Sequence, residues 1–148
     1  MKTPMLLALA ALAVGCGAIP FDAPADLVTN FGSRIYLNEH SAWTTADEAS
    51  ALQSELLTDL QWGRPAKECL GRTIYLIEQY PIARCESGHP CFGYADGQEL
   101  HVGAAPRNPW GGDGPRLAPF KHETIHYLQG CVLGISDRDH RRSEWMFQ

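Results

Sequence analysis

The chain has 148 residues and a mass of 16.3 kDa, enough for one domain with a real core and too little for two large ones. Hydrophobic residues make up 45% and charged residues 20%, a globular balance that excludes a disordered polyelectrolyte. A net charge of -5 gives no general basic field to hold a phosphate backbone, so nucleic acid is not an expected partner.

Lys2, the apolar run from Met5 to Val14 and the small residues around Cys16 predict an export signal, too short to span a bilayer. Ala13-Val14-Gly15-Cys16 resembles the lipobox of bacterial lipoproteins, with Ala13 where Leu is usual. That resemblance implies cleavage before Cys16, lipidation of its thiol and an anchor in the bacterial envelope. Gly17 in place of Asp implies the outer membrane. Cleavage after Ala18, giving a secreted protein, is the alternative. The chain then divides into a signal peptide (1–15), a lipid-anchored tether (16–30) with no clear period, and a domain (31–148).

Arg34-Ile35-Tyr36-Leu37 reads as a strand. Thr45 and Glu48 have capping-box spacing ahead of Ala49, Leu52, Leu56 and Leu60, which recur at helical intervals, with Gly63 and Pro65 as the stop. Thr73 to Ile77 predicts a central strand. Phe92 to Ala95 and Gln98 to Val102 flank Asp96-Gly97, which suits a two-residue hairpin turn. Gly103 to Arg116 is irregular. Pro119 and Gly130 bracket a last helix over Phe120 to Gln129. Strand, helix, strands, helix and tail predict one α+β domain with a mixed or antiparallel sheet and a backing helix.

Apart from Cys16, four cysteines remain, and in an exported chain an even number predicts disulfides. Cys85 and Cys91 flank a turn-rich stretch that can close on itself, leaving Cys69 to pair with Cys131 by elimination.

The last predicted helix contains His122-Glu123-Thr124-Ile125-His126, an HExxH pattern. Residues four apart stand one above the other on a helix, so both imidazoles can reach one ion about 2.0–2.1 Å away. Glu123 projects about 100° around the helix, where it can take a proton from water instead of binding the ion. This pattern resembles the zincin metallopeptidases. The resemblance implies one zinc ion on His122 and His126, Glu123 as general base, a third ligand downstream, and a peptide or protein substrate. Gln129 stands where the metzincin extension has Gly. His140, in Asp139-His140-Arg141-Arg142-Ser143-Glu144-Trp145, looks like the SprT-like third ligand, whereas Glu144 lies near the spacing at which gluzincins place theirs. Asp137 and Asp139 are further candidates.

Zincins also place an edge strand, which pairs with substrate, just before the active-site helix, and Glu99 to Val102 holds that place here. The resulting expectation is a small zincin-like domain that hydrolyses peptide bonds. A non-catalytic zinc-binding envelope lipoprotein is the alternative, and a small-amide hydrolase a third reading. His40, His89 and His101 read as ordinary surface or hydrogen-bonded histidines, and Arg141 and Arg142 as a solvated face.

Overall fold

The computed structural model describes residues 23–82, 91–107, 109, 116–136 and 140–142. In chain order these form β1 (Leu27–Val28), β2 (Arg34–Tyr36), α1 (Ala46–Leu60), α2 (Gly63–Leu70), β3 (Ile74–Glu78), β4 (Gly93–Asp96), β5 (Glu99–Gly103), α3 (Ala118–Leu128) and a π-helical segment, Gln129–Leu133. The architecture is α+β. The five-stranded sheet runs β1-β2-β3-β5-β4, with β2, β3 and β5 parallel and β1 and β4 antiparallel at the edges. No helix among the described residues is long and apolar enough to cross a membrane.

Period-two alternation divides the sheet into two unlike faces. Tyr75 stands beside Ile35 and Leu100, and Ile77 beside Val102, and all five are fully buried under the helices. Leu76, His101 and Tyr94 line up on the other face. On α1, Ala49, Gln53, Leu56 and Leu60 recur at helical spacing and turn inward. The capping box at Thr45 forms with Glu48, as its spacing predicts.

Four expectations are corrected. The first helix does end just before Gly63, at Leu60, but Gly63 and Pro65 also open α2, a helix that was not expected; proline in a first turn lacks only an N–H that has no helical partner there. Within the stretch read as a tether, β1 pairs with β2, Asp26 accepts from the Leu37 N–H and Tyr36 donates to the Ala23 carbonyl. β5, expected at the edge, lies between β3 and β4, because Leu100 and Val102 are both core residues. The edge strand is β4. Finally, α3 ends at Leu128, within a residue of the expected Gln129, but Gly130 does not close the helical path, which runs on as the π-helical segment to Leu133 and ends at the left-handed Gly134.

The expected Cys69–Cys131 bridge is formed and ties the end of α2 to the π-helical segment. Closing a loop across a separation of 62 residues is worth about 4 kcal/mol in the chain-entropy picture. Cys91 is also disulfide-bonded. Cys85, its expected partner, and Cys16 lie outside the described residues, as does Glu144.

Candidate metal centre

The rotation of α3 decides which way its histidines face. Phe120, Thr124 and Leu128 form its fully buried stripe, and Phe120 stacks on Tyr75 with ring centroids 4.1 Å apart. Thr124 donates to the Phe120 carbonyl at 2.6 Å, which leaves the Tyr75 hydroxyl to donate to Thr124 Oγ1 at 3.0 Å. Tyr75 accepts in turn from Gln53 Nε2, which also donates to Ser33 Oγ. Burial pushes the Tyr75 hydroxyl well above its ordinary pKa, so the phenol stays neutral and this chain of hydrogen bonds stays intact. The middle residue of the motif is thus pinned to the sheet. His122 and His126, about 200° around the helix from Thr124, are turned away from the core and are half-buried.

His140 completes a cluster with them. Its ring centroid lies 4.9 Å from that of His122 and 5.1 Å from that of His126, and the two motif rings are 4.8 Å apart. Nε2 of His140 is 3.2 Å from Nε2 of His126, and one ring nitrogen from each of the three lies within 4.8 Å of the others. His140 is exposed and adopts a left-handed backbone, with φ of 54°. A residue other than glycine holds that conformation at a cost of about 1–3 kcal/mol, and such residues cluster at functional sites. Asp137, Asp139 and Glu144 lie outside the described residues.

These donors fit a transition-metal cation. Two ligands at 2.0–2.1 Å in tetrahedral arrangement stand about 3.3 Å apart, close to the separation of the His126 and His140 nitrogens. Three neutral imidazoles supply nitrogen donors of the kind that zinc, copper, iron and nickel accept, and they leave a fourth position open.

Glu123 is 5% exposed and has no hydrogen-bond partner among the described residues. Burial pushes its carboxyl up to about 8. The carboxyl lies against Gly93 of β4, where a Cβ would come within 2.5 Å of Glu123 Cγ and 2.7 Å of the His101 carbonyl. Only glycine leaves room there for both the carboxyl and the strand pairing. A glycine inside a strand signals such a close approach, so this contact had a trace in the sequence.

A second missed feature fixes the chain where it enters α3. Arg116 donates from Nε to the Trp43 carbonyl and from Nη2 to both Glu48 oxygens, at 2.7 and 2.9 Å. Trp43 Nε1 donates to the Ala105 carbonyl. Arg116 holds the Glu48 carboxyl below its ordinary range. Trp43 and Arg116 are 73 residues apart, and nothing local in the sequence links them.

Compared with protein-family models, curated proteins and solved structures, the chain matches none.

Proposed function

We propose that the protein is a zincin-like metallopeptidase, with one zinc ion held by His122, His126 and His140 and with Glu123 as general base. The observation that carries this reading is the approach of three imidazoles, two from an HExxH helix turn and one from fourteen residues downstream, to within 4.8 Å of one another. A cation bound there supplies Lewis acidity and lowers the pKa of a coordinated water. Glu123 takes the proton of the attacking water and returns it to the leaving nitrogen, serving in turn as base and acid. Burial raises the pKa of its carboxyl, and a cation bound beside it would favour the carboxylate, offsetting that rise and leaving Glu123 ionised to take the proton. β4 is an edge strand whose Gly93 adjoins Glu123, so an extended peptide added to that edge would run past the base.

The disulfides fit the oxidising compartment implied by the export signal, and we place the protein in the bacterial envelope, anchored through Cys16. A Cys16→Ser variant should move from the membrane to the soluble fraction.

The decisive variant is Glu123→Gln, assayed for zinc content and for peptide hydrolysis. Zinc content should hold while turnover falls by about 10²- to 10⁴-fold. The near-complete burial of Glu123 favours the competing reading, a zinc-binding envelope protein without turnover. Zinc binding with no hydrolysis by either form would establish that reading instead, and equal hydrolysis by both would remove Glu123 as the base.

A further inference from the structure

The third histidine does not belong to α3, so something outside that helix must bring it to the other two. The described chain between them is the π-helical segment Gln129–Leu133, followed by the left-handed turn at Gly134. That segment is held in three ways. Gly134 N donates to the Gly130 carbonyl, Val132 packs against the core, and Cys131 is bonded to Cys69 at the end of α2. Cys69 is 2% exposed, and its carbonyl accepts from the Tyr127 hydroxyl, so that half of the bridge is fixed in the core beside α3. Cys131 is solvent-exposed. The bridge therefore joins a rigid anchor to the segment that leads to His140.

We infer that the Cys69–Cys131 disulfide positions the third metal ligand, so that its redox state sets the metal affinity of the centre. This rests on the metal site proposed above, but not on its hydrolytic activity. The strained backbone of His140 shows why a brace is needed. The placement of a left-handed histidine depends on the segment that leads to it, and a shift of that segment would break the approach of the three rings to within 4.8 Å.

Cys131 is the exposed residue of the pair and Cys69 the buried one, so attack falls on the Cys131 side of the bridge. A thiolate of an incoming dithiol attacks Cys131 Sγ, forming a mixed disulfide and expelling Cys69 as a thiolate that takes up a proton. The second thiol of the reductant then attacks its own sulfur in the mixed disulfide and releases Cys131 as a thiol. Two electrons pass from the dithiol to the bridge, and the reductant leaves as a disulfide. The closed bridge is the high-affinity state and the open dithiol the low-affinity one.

The test is a double-mutant cycle on the full mature protein, with zinc affinity read by competition against a chelating dye. Its four proteins are wild type, Cys69→Ala/Cys131→Ala, His140→Ala, and the triple variant, each checked for folding by circular dichroism. Removing the bridge should weaken zinc binding at least about tenfold, the scale seen when a group that orients a metal ligand is lost. In the His140→Ala background the same removal should change affinity by less than about twofold, because the ligand through which the bridge acts is gone. Equal affinity with and without the bridge overturns the inference, and so does an undiminished bridge effect in the His140→Ala background. Should the alanine pair fail to fold, the wild type and His140→Ala serve instead. Equilibrated in glutathione buffers at fixed free zinc, zinc should shift the Cys69–Cys131 equilibrium toward disulfide at least about tenfold in wild type. A shift of the same size in His140→Ala overturns the inference. Failure of the oxidised wild type to bind zinc at all would overturn the metal site itself, an outcome distinct from zinc binding that ignores the bridge.

Discussion

His126 and His101 are both partly shielded histidines in the same domain, yet their surroundings differ completely. On the sheet face away from the helices, His101 shares its Nδ1 with Glu78 and has Glu99 3.8 Å from Nε2, and Tyr94 stacks flat on the ring at 4.2 Å. Carboxylates flank both ring nitrogens, and the imidazole is satisfied by the protein itself. His126 on α3 faces His122 and His140 instead. One nitrogen from each of these three rings lies within 4.8 Å of the others, an arrangement that a single cation could bridge. Neighbours, not residue type or burial, distinguish these two histidines.

The sharpest way to break that comparison is to delete each ring. Loss of a group that merely orients a ligand costs 10- to 100-fold in metal affinity, so His126→Ala, which removes a ligand, should cost about 100-fold or more. His101→Ala should leave zinc affinity within about twofold and instead lower stability by about 1 kcal/mol, the worth of a hydrogen bond. Chelator competition and urea unfolding check the pair, and equal zinc loss in both variants would erase the distinction.

A smaller effect is expected from Gly93→Ala, which touches both regions because Gly93 lies between the Glu123 carboxyl and the His101 carbonyl. Overpacking should cost about 1–3 kcal/mol of stability. Turnover should fall by at least about tenfold with zinc content unchanged, since misplacing a catalytic group by 1 Å can cost 10²-fold. A destabilised protein of unchanged turnover per folded molecule would show that the glycine serves only the strand.

The smallest effect concerns the ion pair at the start of α3. Arg116 lowers the Glu48 pKa in the folded state, and a depressed carboxylate stabilises the fold above its unfolded pKa, near 4.5, and ceases to do so as pH falls through the folded value. Glu48→Gln should therefore cost under about 1 kcal/mol near neutrality, because the pair is 39% exposed on each side. The difference from wild type should vanish as pH drops below 4.5. Thermal unfolding at a series of pH values reads both points.

What could be read from the sequence was what is local. The α1 capping box, the Asp96-Gly97 turn with Gly97 at a φ of 61°, and the four-residue spacing of His122 and His126 each depend on a handful of neighbouring residues. Gly63 and Pro65 marked the end of α1 but hid the start of α2, because residues that follow one helix can open the next. The edge strand was misplaced because alternation gives a strand's faces and not its neighbours in the sheet, so β5 and β4 could not be ordered from their own residues. His140 was named among several candidates on the tail, but its left-handed backbone was not legible. The Trp43–Arg116 contact spans too much chain for any local pattern to register it.

X-ray absorption of the zinc-loaded oxidised protein tests the proposed centre most directly. One zinc per chain with three imidazole nitrogens at about 2.0–2.1 Å is the expected result. A chain that takes up no zinc, or zinc coordinated without histidine nitrogens, would contradict it.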